Sequence, residues 1–148
     1  MEGSDLVAVA ADVMVRHPKC LHAGSSVAEA RAALADDHVH LVLLVDDRRV
    51  LRGTLRRGDL PSTAYDAEPA AAYATLDGRT VAPERPAEAA RLDLVAAGSR
   101  RLAVTDDHGV LLGLLCLKAS GDGFCSDDDV AARADEARAL ADALVTPA

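Results

Sequence analysis

Aromatic side chains are nearly absent from this chain: it has no tryptophan, and its two tyrosines and one phenylalanine amount to 2% of the residues. Its core therefore has to be built from Val, Leu and Ala instead of stacked rings. Lysine is almost as scarce, at Lys19 and Lys118, and with 24 acidic against 16 basic residues the formal net charge is −8. That field repels nucleic-acid phosphates, so no nucleic-acid partner is expected, although a local group of arginines still suits a small anion. Apolar runs such as Leu41–Val45 fall far short of the roughly 20 residues a membrane-spanning helix needs. The start, with Glu2 and Asp5, lacks the positive region of a signal peptide. No membrane partner and a cytoplasmic location are expected. Three cysteines, Cys20, Cys116 and Cys125, make no even set for a disulfide framework and read as thiols of a reducing compartment.

What the chain does have is a copy of itself. Residues 20–59 align without a gap on residues 80–119, an offset of sixty. Ala30 matches Ala90, Arg31 matches Arg91, Leu34 matches Leu94, Asp46-Asp47 match Asp106-Asp107, Val50-Leu51 match Val110-Leu111, Gly53 matches Gly113 and Leu55 matches Leu115. Alanine and leucine matches are cheap in so Ala-rich a chain. A pair of aspartates followed at fixed spacing by glycine is not, because it marks a turn and a constraint on the strand after it. With 148 residues there is room for one compact unit and no separate catalytic domain.

Each half reads as a helix followed by a hairpin. In the first, Ser25 or Ser26 caps a helix with Glu29 near its third position, and Val27, Ala30 and Leu34 mark its apolar face. Val39–Val45, broken by His40, is a strand buried on both faces, and Val50–Leu55 resumes after the Asp46-Asp47 turn. In the second, Pro86 starts a helix over Ala87–Ala97, Gly98 closes it, and Leu102–Thr105 and Val110–Leu117 form the hairpin. Residues 61–78, with Pro61, Pro69 and Gly78, read as a connection carrying one short helix. Gly121 and Gly123 break the chain, and Ser126 caps a final amphipathic helix over about 128–144.

In this order the motifs resemble a tandem pair of cystathionine-β-synthase-type (CBS) domains, a Bateman module, over about Ala11 to Lys118. Ala11-Asp12-Val13-Met14 and Thr80-Val81-Ala82-Pro83 are similar to the family's lead-in segments. Arg101-Leu102-Ala103-Val104-Thr105-Asp106 resembles its strand ending in aspartate, and Gly53-Thr54-Leu55-Arg56-Arg57-Gly58-Asp59 its Gly-x-x-Ser/Thr-x-x-Asp signature. The resemblance implies an α+β fold of two βαββα-like repeats with pseudo-two-fold symmetry, plus the C-terminal helix. The expected division is 1–66 and 67–122 for the repeats and 123–148 for the helix.

The resemblance also implies a regulatory module that binds an adenosine nucleotide between its repeats. Asp59 would accept from ribose hydroxyls, Thr80, Val81 and Ala82 would hold the base, and Arg100 and Arg101 would meet phosphates, with Arg56 as a further donor where the signature has Ser/Thr. The mirror site has Ala119 for the carboxylate, Cys116 at the Ser/Thr position and Leu41 opposite Arg101, so one working and one degenerate site are expected. On local grounds, Asp59 equally suits the cap of a helix starting at Leu60-Pro61. Arg100 and Arg101 equally suit a solvated pair at a strand edge.

Other candidates reduce to structure. His17, Cys20 and His22 are zinc-type ligands, but Cys20-x-His22 is too short to close a site and lacks a fourth ligand. His38 and His40 read as a helix end and strand start, Cys116 as a small buried hydrophobe, Cys125 as an exposed, unreactive thiol beside Asp127–Asp129. No catalytic constellation or phosphate loop is present, so no enzyme, no metal and no required cofactor are expected. An adenine nucleotide (AMP, ADP or ATP) or a related adenosyl ligand would be a regulatory ligand. Family modules pair into homodimers, so a homodimer with an unidentified protein partner is expected; the competing reading is a structural or protein-interaction dimerisation module that binds nothing in its clefts.

Overall fold

The computed structural model describes residues 7–125, so the C-terminal helix expected over 128–144 lies outside the described residues. Helix α1 (Ala10–Val13) leads in. Strand β1 (Cys20–His22), helix α2 (Val27–Leu34), strands β2 (Val42–Val45) and β3 (Leu51–Leu55), and a 3-10 turn at Arg57–Asp59 complete the first half. A second 3-10 turn, Ala70–Tyr73, leads into β4 (Thr80–Val81), α3 (Ala87–Ala97), β5 (Arg101–Thr105) and β6 (Leu111–Cys116). Each half forms a three-stranded sheet, β1-β2-β3 and β4-β5-β6, whose outer pair is parallel and whose hairpin is antiparallel.

The sixty-residue offset holds down to hydrogen bonds. Asp46 Oδ1 accepts from the backbone of Arg48 and Val50, and Asp106 Oδ1 from that of His108 and Val110, so both hairpins turn on the same aspartate side-chain device. Each ladder then slips at the equivalent place, between Leu44 and Val45 and between Val104 and Thr105. The repeated arginines have repeated work: Arg31 donates to the carbonyl of Pro61 and Arg91 to that of Gly121, each pinning the segment that leaves its hairpin back onto its helix. Helix α2 begins at Ser26 with the reciprocal Ser26–Glu29 box, and α3 runs from Pro86 to Gly98, whose φ of 66° ends it. Strand β2 is shorter than the expected Val39–Val45: Asp36 and Arg57 engage the backbone after α2 and hold residues 36–38 in a turn, and residues 39–41 enter the strand without ladder pairing.

The repeat reaches further upstream than sequence identity does, and there the halves exchange segments. Val15 bridges Leu114 of β6, while Thr75 bridges Thr54 of β3; Val9 bridges Pro86, while Pro69 bridges Ser26. The segment leading into each half therefore closes the sheet of the other. Glycine permits the approach: a Cβ on Gly113 would stand 2.6 Å from the Val15 carbonyl oxygen, and one on Gly53 would stand 2.6 Å from the Ala74 Cβ. Among the described residues the core has four parts: Ala30, Leu34, Val42, Leu44 and Leu55 under α2; Ala90, Leu94, Leu102, Val104 and Leu115 under α3; Leu41, Leu43, Leu51, Ala103 and Leu111 between the sheets; and a small cluster of Val15, Cys116 and Cys125. At the pseudo-two-fold axis Val50 bridges Val110, with Leu51 N donating to Gly109 O at 2.9 Å and Leu111 N to Arg49 O at 2.8 Å.

That axis places Arg49 in the left-handed region, φ 63°, where its counterpart is Gly109 at φ 81°. Arg49→Gly is expected to stabilise the protein by up to about 1 kcal/mol, and Gly109→Ala to cost about 1–2 kcal/mol, since a left-handed non-glycine residue is strained. Urea denaturation of both variants measures this; effects of the same sign would contradict it.

Candidate functional site

A cavity of about 440 Å³ opens on the second half, bounded by β4, the end of α3 and the start of β5. Thr80, Val81 and Ala82 line it, with Ser99, Leu94 and Leu102. Its volume is in the range of small-molecule pockets. The rim is closed by Arg85, whose guanidinium holds Asp93 Oδ2 at 2.6 and 2.7 Å. The first half reaches this cavity through Arg56, whose Nη2 donates to Ser99 Oγ at 2.9 Å. Sequence reasoning thus brought Arg56, Thr80, Val81 and Ala82 to one place and missed Ser99, whose only signal was its position just before the arginine pair.

Asp59 does not cap a helix at Leu60-Pro61, because no helix starts there; it ends the 3-10 turn Arg57–Asp59 and reaches back to accept from the Arg56 backbone at 2.7 Å. Its main partner is Arg79, which the sequence analysis did not single out. Arg79 Nη1 donates to Oδ2 and Nη2 to Oδ1 at 3.1 Å, and the guanidinium is buried under the Thr54 carbonyl and hydroxyl. A carboxylate offers about four acceptor positions, and three are taken here. The forked Arg79 bonds, then the Arg56 backbone, hold the Asp59 carboxyl below its usual range against the opposing effect of burial. Arg79 lies between Gly78 and Thr80, both in the cavity wall, so the pair forms one polar unit joining the halves beside the pocket.

Arg100 and Arg101 do not line the cavity. Arg100 is exposed and its Nε donates to the Leu117 carbonyl at 3.1 Å. Arg101 is buried, 8% exposed, opposite Cys116 in the β5–β6 ladder, at the position equivalent to Leu41 just before β2. The two nonetheless belong to a cationic region: the His40 imidazole is held below its usual pKa first by burial, then by Arg101, Arg57 and Arg100, and by His38. In the mirror position Ala119 is exposed and Cys116 is buried, so the Asp59–Arg79 unit has no counterpart there; Lys19 and Ala119 stand where its members would be. Among the described residues no three His, Cys, Asp or Glu side chains gather as a metal site, and no helix is long and apolar enough to cross a membrane.

Comparison with known proteins agrees with this geometry. The CBS domain family model matches residues 9–61, beginning at Val9, where the structural repeat begins. Among solved structures, the cystathionine beta-synthase pair domain of SO5017 from Shewanella oneidensis MR-1 is 21% identical, with a TM-score of 0.65 over 74% of this chain and 65% of that one. AcuB from Vibrio cholerae, named for acetoin utilization, is 21% identical, with a TM-score of 0.66 over 96% of this chain and 100% of that one. The CBS domain pair of MJ0100, solved with 5′-methylthioadenosine and S-adenosyl-L-methionine, is 16% identical, with a TM-score of 0.61 over 88% of this chain and 98% of that one.

The chain folds as a CBS domain pair. Comparison with curated protein sequences finds no match. The family-model match lies in the first half of the chain, and the cavity opens on the second.

Arg79→Gln is expected to destabilise the pair by about 2 kcal/mol at pH 7, because it leaves the Asp59 carboxylate and two Thr54 acceptors without their cation. Asp59 has a lowered carboxyl pKa, so the stability it contributes is present above its unfolded value of about 3.9 and is lost as the pH falls through the folded value. The difference between wild type and Arg79→Gln should therefore shrink between pH 5 and pH 3 in chemical denaturation. A pH-independent difference would show that the carboxylate is not what Arg79 stabilises.

Proposed function

We propose that this CBS pair is a regulatory sensor of an adenosine nucleotide, with its binding site at the cavity beside the Asp59–Arg79 pair. The observation that carries the reading is the convergence of Thr80, Val81, Ala82 and Ser99 on one cavity of about 440 Å³, with Arg56 from the other repeat bonded to its wall. The adenosyl ligands in the MJ0100 complex support it. The base lies against Val81, Leu94 and Leu102, the ribose turns toward Asp59, and the phosphate or equivalent group points toward Arg56 at the cavity wall. No catalytic step and no bound cofactor are required; the ligand acts by preferring one arrangement of the repeats.

Arg79 gives this preference a physical basis. Asp59 has one acceptor position left, and a ribose diol carries two hydroxyl donors, so full engagement of the sugar displaces one arm of Arg79. Binding therefore trades an inter-repeat contact for a ligand contact, which couples occupancy to the fit of the two halves.

Titration with AMP, ADP, ATP and S-adenosylmethionine tests the proposal by thermal shift and calorimetry. One of them is expected to stabilise the native protein by about 2.7 kcal/mol at a hundredfold excess over its Kd. Asp59→Asn, which keeps the shape of the side chain, is expected to abolish that shift, whereas Ala119→Ser leaves it unchanged. Silence from all four ligands at millimolar concentration removes the sensor reading.

A second reading, a dimerisation module independent of ligand, is favoured by one feature of α3. Leu92 and Val95, one turn apart, are 54% and 52% exposed on the side away from the buried Ala90 and Leu94. A homodimer that closes over this face is expected to become monomeric in Leu92→Glu, as read by light scattering after gel filtration. A variant with unchanged mass would exclude α3 from any dimer contact.

A further inference from the structure

Beyond β6 the chain turns at Lys118–Gly121 and runs back along the same strand. Leu117 bridges Phe124, Lys118 N donates to Gly123 O at 2.8 Å, and Cys125 N donates to Cys116 O at 2.7 Å. This small hairpin sets Cys125 opposite Cys116 and buries it, 2% exposed, where the sequence pattern predicts an exposed thiol. The two Sγ atoms stand 3.1 Å apart, packed against Val15. We propose that Cys116 and Cys125 form a redox modification site: peroxide converts this facing pair of thiols into a cross-strand disulfide.

Two observations carry it. Closing the bond, about 2.05 Å long, asks the sulfurs to approach by about 1 Å, within reach of side-chain rotation on a backbone that already holds them opposite one another. Cys125 also lines a cavity of about 460 Å³ with Asp12, Arg16 and Phe124, which gives a small oxidant a route to a thiol otherwise covered by protein. Cys20 provides the contrast. Its thiol is pushed up in pKa by burial, donates to the Pro18 carbonyl at 3.4 Å, and has no second thiol at hand, since the other two face each other.

The chemistry balances with one equivalent of hydrogen peroxide. The Cys125 thiolate attacks one oxygen, the O–O bond breaks, and the departing hydroxide takes up the proton released when the thiol ionised, leaving water and a sulfenic acid. Cys116 sulfur then attacks the Cys125 sulfur; the S–S bond forms, the S–O bond breaks, and a second water carries away the Cys116 proton. Two thiols are oxidised and one peroxide is reduced to two waters. A dithiol reductant reverses the change.

The test uses the full chain exposed to a small excess of hydrogen peroxide, then alkylated under denaturing conditions. The expected result is loss of two hydrogens from the intact mass, a linked pair of peptides containing Cys116 and Cys125, and an alkylated Cys20. Because the link closes a short loop, the oxidised monomer should also melt roughly 5 °C higher than the reduced one. Cys20→Ser should behave as wild type and Cys125→Ser should lose the two-hydrogen change. If Cys125→Ser does not fold, the peptide map of the wild type decides alone. Thiols at 116 and 125 that remain alkylatable while Cys20 is oxidised, or a Cys125 driven to sulfinic acid without a link, would overturn the proposal.

Discussion

The exchange of lead-in segments is the constraint on which the rest of this molecule depends. Val15 hydrogen-bonds β6 in both directions and Thr75 does the same with β3, so neither sheet is complete without backbone from the other half. A lone half would leave an edge of unpaired N–H and C=O groups along its last strand, which water alone would have to satisfy. The exchange also fixes how the halves face one another, since it sets the positions of Arg79 and Thr80 relative to Thr54 and Asp59. The polar unit beside the cavity follows from that geometry: Arg79 is carried to β3 by the backbone around Thr75 and finds Asp59 waiting at the end of the next turn.

Duplication gave two equivalent sets of positions, and the chain has spent them differently. At one end Arg56, Asp59 and Arg79 make a charged, mutually bonded group. At the equivalent end stand Cys116, Ala119 and Lys19, where no carboxylate remains to compensate a buried cation. A buried guanidinium without its partner is costly, so loss of the aspartate and loss of the buried arginine belong together. The same logic reads on the inner face of the sheets, where Leu41 of one half occupies the place of Arg101 in the other: the halves keep the hydrophobic spacing and trade polarity one position at a time. Sheet register tolerates such trades because the aspartate turns and the ladder slips that set it are untouched.

How far the sequence discloses this depends on what kind of interaction fixes each part. Helix α3 is legible to the residue, because Pro86 and Gly98 act through their own backbone preferences. The hairpins are legible because Asp46 and Asp106 act on residues two and four further on. The lead-in exchange is not: its bridges are main-chain contacts across long separations, and in the segments concerned only Ala10 with Ala70 and Ala11 with Ala71 repeat. Arg79 escaped notice for a similar reason. Its partner is twenty residues earlier, and the lead-in motif that draws attention starts one residue later, at Thr80. Arg101 is not the solvated strand-edge residue its sequence context suggests: strand alternation turns it inward to face Cys116, and no local pattern says which face of β5 is closed by a second sheet.

The charge distribution shows why a net charge of −8 is a poor guide to what this protein holds. Arg57, Arg100 and Arg101 lie close enough to His40 to disfavour its protonation, after the larger effect of burial, and Arg56 and Arg79 stand at the adjoining cavity. Of these, Arg79 has a carboxylate, whereas Arg57 spends its donors on the carbonyls of Leu34 and Asp36 at the end of α2 and Arg100 on that of Leu117. Carbonyl bonding satisfies a guanidinium's N–H groups without cancelling its charge. The region thus keeps a positive field inside an acidic molecule, and a short-range field of this kind survives screening better than the diffuse negative one outside it. The net charge of −8 therefore coexists with a local group of arginines around His40.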